Sequence, residues 1–250
     1  MANEVVKSFS ETLTDKLITV ENALPKDFNR ERFVQNCLAV LNENQDLTRV
    51  NPAELQAGLL KGAYLGLDFF KKECYLIKYG SKITFQTDYK GETKFVKRYA
   101  IRPIHEIYAK IVREGDFFEE KITDGHPSID FRPKPFNTAE IVGAFAVALY
   151  RDGGMEYEVM TKNDINSVRA NYSKMSNSGA WKNSWDEMAK KTVLRRLCKH
   201  IETDFESTEA MKAWEDGSDS NIATVERSGD VVDAFSDVVA ESEYKEVVNG

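Results

Sequence analysis

The amino-acid sequence predicts an α+β protein, in which a β-hairpin and several packed helices form the core and an acidic C-terminal tail follows. Two β-prone runs surround Gly80-Ser81, as in a hairpin. Elsewhere apolar residues recur at helical spacing, and residues 202–250 have no long apolar period. The chain has 250 residues, of which 42% are hydrophobic, so it is long enough to bury a core.

The N-terminal third is predicted to be helical. Phe33 and Cys37 belong to a run of apolar residues at helical spacing. A second helix is predicted to begin at Asn51-Pro52, because asparagine caps free N–H groups and proline suits the first helical position. It is expected to end near Gly66, since glycine readily adopts the left-handed conformation that terminates helices.

Strands dominate the middle of the chain. The hairpin strands are predicted at Cys74–Tyr79 and Lys82–Thr87, and a short helix follows at Tyr89–Tyr99. Further strand-like runs cover residues 104–112, 117–122, 141–150 and 157–160.

The last third contains two helices and the tail. The helices are predicted at residues 163–172 and 185–201, with a loop rich in Ser, Asn and Gly between them. Residues 202–250 carry 14 acidic and 3 basic side chains and are predicted to be largely disordered. We therefore divide the chain into an N-terminal helical segment (1–28), a core (29–201) and a tail (202–250).

Charge is strongly segregated along the chain. The whole chain has a formal net charge of −7. Residues 78–113 and residues 162–201 each contain nine basic and three acidic side chains, a net charge of +6 in each segment. Two basic segments in an otherwise acidic chain indicate an anionic partner such as nucleic acid.

The first basic segment places four cations on one helix face. They fall at positions i, i+4, i+7 and i+8 and are Lys90, Lys94, Lys97 and Arg98. Such a row suits a flexible chain of phosphates, because each contact releases condensed counterions. A solvated helix face would show the same pattern, so both interpretations stay open. Nearby polar residues of the same segment are Lys78, Lys82, Gln86 and Arg102.

The second basic segment predicts a helix with a cationic face and a buried face. At about 100° per residue, two ridges lie roughly 200° apart. The cationic ridge is Lys191, Arg195 and Lys199, and the apolar ridge is Val193, Leu197 and Ile201. Lys190 and Arg196 flank the cations. A plain surface helix is again the alternative.

Aromatic side chains are interleaved with these charges. Tyr89, Tyr172, Trp181 and Trp185 all border basic residues. Stacking of a base on an aromatic ring is worth about 1–3 kcal/mol, but each ring taken singly fits a core position better. Trp181, in a polar loop, is the best candidate for stacking, whereas Trp185 is expected to pack. Arg169 completes the candidate DNA contacts.

Enzyme motifs are weak or absent in the sequence. No GxxxxGK[ST] phosphate loop occurs, which argues against an ATPase. Glu92-Thr93-Lys94 and Glu119-Glu120-Lys121 match the E-x-K fragment of metal-dependent nucleases, with Asp68 upstream of the first. Such fragments are frequent by chance in a highly charged chain. We expect no catalytic residue, metal or cofactor, and keep a nuclease and a self-assembling structural protein as alternatives.

The cysteines and the apolar runs bear on location. Cys37, Cys74 and Cys198 are odd in number and form no CxxC pair, so we expect reduced, mostly buried thiols. The first 15 residues lack a signal pattern, and the longest apolar run, Ile141–Tyr150, is too short to span a bilayer. A cytoplasmic protein without a membrane partner is predicted.

Two strings of residues resemble the RecT family of phage and prophage single-strand annealing proteins. The first runs from Gly66 to the Q-x-x-Y-K-G string at residues 86–91 and on to Arg98. The second is Trp185 followed by the A-K-K-T-V-x-R-R-L string at residues 189–197. Residues 141–150 are similar to the family's central strand. The chain departs from the family pattern at Asp88, where glycine is common, and at Ser184, where proline is common.

The resemblance implies a fold and an activity. It implies a curved antiparallel sheet, assembly into rings or helical filaments, and annealing of complementary single strands without ATP through an annealed duplex intermediate. It also implies a phage exonuclease and a host single-strand-binding protein as partners in a bacterial cytoplasm. The DNA contacts carried over by position are Gln86, Tyr89, Lys90, Lys94, Lys97, Arg98, Lys190, Lys191, Arg195 and Arg196.

The chain ends offer candidate protein contacts. Residues 1–28 are a candidate for contact between subunits. One part of the tail has the spacing of a short amphipathic helix, and its apolar residues are Val231, Val232, Phe235, Val238 and Val239. This part is predicted to bind a partner. The acidic tail could equally be a solubilising segment that competes with DNA for the basic faces.

Overall fold

A computed structural model describes residues 2–44, 46–79, 82–172 and 179–218. Within these ranges the chain forms two compact units. The N-terminal unit comprises residues 2–99 and 203–218, and the central unit comprises residues 100–202. The mixed α+β class is therefore confirmed, with helices and small antiparallel sheets.

The described chain contains helices and strands in mixed order. The helices are α1 (Ala2–Thr19), α2 (Arg30–Glu43), α3 (Pro52–Leu65), α4 (Tyr89–Tyr99), α5 (Lys162–Tyr172), α6 (Gly179–Asn183), α7 (Trp185–His200) and α8 (Thr208–Ser218). The strands are β1 (Cys74–Tyr79), β2 (Lys82–Thr87), β3 (Ile104–Arg113), β4 (Phe117–Thr123), β5 (His126–Arg132), β6 (Ile141–Tyr150) and β7 (Met155–Thr161).

The helix ends follow the capping residues in the sequence. Asn51 Oδ1 accepts a hydrogen bond from the Ala53 N–H at 2.9 Å, and Pro52 is the first residue of α3. Gly66 ends α3 in the left-handed conformation, with φ of 64°. The predicted start and end of this helix are confirmed.

The β1–β2 hairpin buries one face in the N-terminal unit. Cys74, Leu76 and Phe85 are buried and lie on the same face, because Leu76 pairs with Phe85. Phe69 contacts the rings of both Phe33 and Phe85, with centroid distances of 6.1 and 6.2 Å. The strand bounds agree with the prediction, and the predicted turn at residues 80–81 lies outside the described residues.

Helix α8 belongs to the N-terminal unit and contacts α3 and β2. Trp214 is 9% exposed and stacks on Phe95, with ring centroids 4.6 Å apart. Lys61 Nζ forms an ion pair with Asp216 Oδ2 at 2.7 Å. Disorder was predicted for most of residues 202–250, and α8, which was not predicted, forms part of the remainder. The predicted partner helix at residues 231–239 lies outside the described residues.

A three-stranded antiparallel sheet organises the central unit. Its strand order is β3–β6–β7, which places β6 in the middle. Residues 143–148 of β6 are all buried, because the strand is covered on both faces. The prediction of a central strand at residues 141–150 is confirmed, and the curvature of the sheet stays a prediction.

One face of the sheet carries the β4–β5 hairpin. Phe145 of β6 contacts Phe118 and Phe131 of the hairpin, with ring centroids 5.3 and 5.0 Å apart. Strand β5 was not predicted. Asp124 and Gly125 connect the two strands with φ of 51° and 79°. Asp-Gly is the usual signal for such a turn, so the sequence did contain evidence for this hairpin.

Helices α5 and α7 also pack against the sheet. Val193 and Leu197 of α7 are fully buried, and the predicted apolar ridge is confirmed. The predicted loop between α5 and α7 contains α6, so the loop prediction is wrong over residues 179–183.

The three cysteines are free and buried, as expected. Burial raises the pKa of the Cys37 and Cys74 thiols well above their usual value. Among the described helices, none is both long and apolar enough to cross a membrane.

Candidate nucleic-acid interface

Helix α4 lies directly on the backbone that precedes β1. A Cβ at Gly91 would be 2.0 Å from the Glu73 carbonyl oxygen, so no larger residue fits there without movement. Asp88 Oδ1 accepts a hydrogen bond from the Lys90 N–H at 3.0 Å and thus caps the helix. The carboxylate that departs from the family pattern therefore has a structural role at the start of α4.

The orientation of α4 separates its apolar and cationic faces. Phe95 and Val96 are buried, and Glu92 is fully buried with them. The side chains on the other face are exposed, as the helical spacing predicted, and are Lys90, Lys94, Lys97 and Arg98.

Two of these four cations are held by carboxylates. Lys94 Nζ donates hydrogen bonds to Glu73 Oε2 at 2.6 Å and to the Gly66 carbonyl oxygen at 3.0 Å. Arg98 forms an ion pair with Asp27. Both cations therefore hold loops of the N-terminal unit in place, and their charges are already partly balanced.

The other two cations point to solvent. The Lys90 ammonium lies 5.9 Å from the centroid of the Tyr89 ring. Within the described ranges, Lys97 forms no ion pair or hydrogen bond, and its side chain is exposed. Lys90 and Lys97 are thus the cations of α4 that are most available to bind a phosphate.

The β1–β2 register separates two predicted contacts. Gln86 pairs with Tyr75, whereas Lys78 pairs with Ile83, so Gln86 and Lys78 lie on opposite faces of the hairpin. Gln86 shares the outer face with Lys82 and Tyr75. Tyr75 was not predicted as a DNA contact, although its alternation with the buried Cys74 and Leu76 indicated an outward position.

Helix α7 carries the second cationic ridge in the central unit. Lys199 is exposed, and Lys191 and Arg195 are half-buried. The flanking cations are paired: Lys190 with Glu187, and Arg196 Nε with Glu158 Oε1 at 2.7 Å.

Arg102, a predicted DNA contact, is held within the central unit. Its guanidinium donates two hydrogen bonds to Asp152, at 2.9 and 2.8 Å, and lies 4.0 Å from the Tyr150 ring centroid. The hydrogen bonds from Arg102 lower the pKa of Asp152 below its usual value. Arg102 fixes the turn between β6 and β7.

Trp181 is not an open stacking platform. It lies in α6, is 4% exposed, and has the Arg169 guanidinium 5.4 Å from its ring centroid. The prediction of an exposed ring in a loop is wrong, because tertiary packing buries this residue within a polar stretch. Trp185 is half-buried and donates from Nε1 to Asn166, as expected of a packing residue. The side chain of Tyr172 lies outside the described residues.

The nuclease-like fragments are used for packing and surface pairing. Glu92 accepts a hydrogen bond from the Thr87 hydroxyl at 2.8 Å inside the core. Glu119 and Lys121 pair with each other on β4. Asp68 accepts from the Phe70 N–H and from the Asn36 amide. The described ranges contain no cluster of three or more His, Cys, Asp or Glu side chains that could hold a metal ion.

The part of this chain that matches a known family includes both cationic helices. The model of the RecT family matches residues 31–221. This chain belongs to the RecT family. It is 30% identical over 222 residues to Protein RecT of Escherichia coli (strain K12), a match that covers 82% of this chain and 81% of the relative.

A second relative is less informative about activity. The uncharacterized protein YqaK of Bacillus subtilis (strain 168) is 28% identical over 168 residues, which cover 66% of this chain and 57% of the relative. Membership in the RecT family supports a role in phage-type recombination and single-strand annealing. The family consists of annealing proteins rather than classic enzymes.

Proposed function

We propose that this RecT-family protein binds single-stranded DNA and anneals complementary strands without ATP. The observation that carries the proposal is the family match over residues 31–221, a range that includes both cationic helices. A protein that only positions strands needs no nucleotide-binding loop, and the sequence has no GxxxxGK[ST] string.

The exposed cations of α4 are the best supported phosphate contacts in the N-terminal unit. Lys90 and Lys97 point to solvent on one helix face. Gln86 and Tyr89 lie next to them in the sequence and are half-buried, so each can offer part of its surface to a strand. In the central unit, the phosphate contacts are assigned to the ridge of Lys191, Arg195 and Lys199.

Annealing follows from contacts that ignore base identity. Cationic side chains hold the phosphates, and this term is independent of sequence and strongly dependent on salt. The bases of the bound strand stay available, and a second strand is selected by Watson–Crick pairing. Specificity therefore comes from the DNA, and the protein supplies alignment and charge neutralisation.

The wider assembly is also part of the proposal. The protein acts as a ring or helical filament in a bacterial cytoplasm, beside a phage exonuclease and a host single-strand-binding protein. Residues 1–28 contribute to contacts between subunits. Residues 231–239 of the acidic tail recruit a partner, and the competing proposal is that the tail covers the cationic faces.

Deletion of residues 219–250 separates the two roles of the tail, because α8 and its packing stay in place. Tighter binding of single-stranded DNA would favour competition by the tail. Unchanged DNA binding together with loss of a partner would favour recruitment. The partner is tested by co-sedimentation with a purified single-strand-binding protein.

The central experiment mixes two complementary, labelled oligonucleotides with the protein, without ATP and with or without magnesium. Faster duplex formation than in the protein-free control supports annealing. Shortened strands in the presence of magnesium would favour the nuclease alternative. No binding and no duplex would leave a structural protein that does not act on DNA.

A further inference from the structure

Phe136 is a large apolar side chain that stands entirely in solvent. It lies in the loop between β5 and β6 of the central unit and is fully exposed. The loop around it contains Pro133 and Pro135, which fix φ at their own positions. Single exposed apolar residues are common, so exposure alone does not indicate a binding site.

The backbone around Phe136 is held by a dense set of hydrogen bonds. Asp116 accepts from the N–H groups of Arg113 and Lys134 at 2.9 Å each, and from Asn137 Nδ2 at 2.7 Å. Partial burial raises the pKa of Asp116, but these hydrogen bonds outweigh it and lower the pKa below its usual value. The Asp116 carboxylate thus accepts three hydrogen bonds that fix the loop.

The far side of the loop is anchored as well. Arg113 Nη1 donates to the Ala139 carbonyl oxygen at 2.8 Å, and Asn137 Nδ2 also donates to the Glu114 carbonyl oxygen at 3.0 Å. Phe136 itself has φ of 52°, a conformation that non-glycine residues rarely adopt. The surrounding hydrogen bonds therefore impose a strained backbone that presents a bare ring, an arrangement typical of functional sites.

The size of this surface limits the kind of ligand. A stable protein interface buries about 800 Å² per partner, whereas one phenylalanine ring supplies roughly 150–250 Å² at most. A single base, by contrast, needs only one ring to stack on.

Two cations, Arg132 and Lys134, lie near the ring in the sequence. The acidic residues at either end of the loop are paired, Asp130 with Arg132 and Glu140 with Lys162. The Arg132 guanidinium also lies over the Phe117 ring. Lys134 is exposed. An aromatic ring next to an available cation matches the pairing of base and phosphate in a single strand.

We propose that Phe136 is a base-stacking residue, which holds an unpaired nucleobase of single-stranded DNA while Lys134 contacts the adjoining phosphate. This inference rests on the proposed function and adds to it a contact outside both cationic helices. The loop gives one fixed stacking point per protomer, prepared before DNA arrives.

The test compares Phe136→Ala with the unmodified protein on two short oligonucleotides, one of ordinary thymidines and one of abasic sites. We expect Phe136→Ala to weaken binding of the thymidine strand by about 5- to 150-fold, as loss of one stacked base implies. Binding of the abasic strand should be equal for both proteins, since no base is present to stack. Phe136→Trp should restore binding of the thymidine strand.

Phe70→Ala is the matched control, because Phe70 is 54% exposed in the N-terminal unit and has no role in this proposal. It should bind both strands as the unmodified protein does. Equal affinity of Phe136→Ala and the unmodified protein for thymidine strands would overturn the inference and leave the proposed function intact. Loss of self-assembly with unchanged DNA affinity would overturn it in favour of a protein contact. Failure of the unmodified protein to bind either strand would instead reject the proposed function.

Discussion

Helices α4 and α7 each combine a buried face with a row of cations, and on both helices carboxylates hold some of the cations. On α4, two of the four cations that share the face are fixed, Lys94 by Glu73 and Arg98 by Asp27. On α7, the flanking cations Lys190 and Arg196 pair with Glu187 and Glu158. These pairs show that the number of cations on a helix face overstates the number available to bind phosphates.

The two helices also differ in what they pack against. α7 lies on the β3–β6–β7 sheet, where the short side chains of Ala144, Ala146 and Ala148 line one face of β6 and are buried. α4 contributes Phe95, which stacks on Trp214 of α8, and touches the backbone at Glu73 through Gly91. Substitutions can therefore separate the structural face of each helix from its cationic face.

The largest expected effect is on the buried face of α7. Leu197→Ala should lower the free energy of unfolding by about 2–5 kcal/mol, because it leaves a cavity at a fully buried position. Chemical denaturation monitored by circular dichroism measures this loss. Ile18→Ala is the control, since Ile18 is 49% exposed and a similar volume is removed. Equal losses in the two variants would contradict the assigned packing of α7.

A smaller loss is expected on the packed face of α4. Gly91→Ala should cost about 1–3 kcal/mol, because the added methyl group meets the rigid Glu73 carbonyl rather than a flexible side chain. Lys90→Ala, one residue away on the exposed face, should change stability by less than about 0.5 kcal/mol. If Gly91→Ala were as stable as Lys90→Ala, this result would contradict the close approach of α4 to the backbone at Glu73.

Many of the structural features of these regions could be predicted from local sequence patterns. The bounds of β1, β2 and α4, and the cap residues Asn51 and Gly66, follow from neighbours within a few positions. The helical period also predicted correctly which cations share a face. These features depend on backbone geometry alone, and the sequence specifies that geometry locally.

The errors arise where distant residues decide the outcome. α8 is short and acidic, and its burial depends on Phe95, more than a hundred positions earlier in the chain. Trp181 is buried by packing that the polar composition around it does not indicate. Lys94 and Glu73 are 21 positions apart, so their ion pair could not be derived from spacing. Strand β5 is different, because its Asp124-Gly125 turn was visible in the sequence.

The fixed cation Lys94 allows a direct test of the difference between the fixed and the exposed cations of α4. Lys94→Ala should lower the free energy of unfolding by roughly 1 kcal/mol without DNA present, because the pair with Glu73 is only half-exposed and the Gly66 carbonyl loses a donor. Glu73→Gln should likewise lower the free energy of unfolding. If Lys94→Ala were fully stable and only weakened DNA binding, Lys94 would be a phosphate contact rather than a structural cation.

The exposed cation Lys97 should give the opposite result and the smallest change in stability. Lys97→Ala should alter the free energy of unfolding by less than about 0.5 kcal/mol, because Lys97 forms no ion pair within the described residues. If Lys97 contacts one phosphate, the slope of log affinity against log salt should become shallower by about 0.7 per bound protomer. Fluorescence anisotropy with a labelled oligonucleotide at several salt concentrations measures the slope. Lys212→Ala on α8 removes the same charge from another exposed position of the N-terminal unit and should leave the slope unchanged. A slope that Lys97→Ala does not alter would exclude this residue from the interface, and with it the distinction drawn between the fixed and the exposed cations of α4.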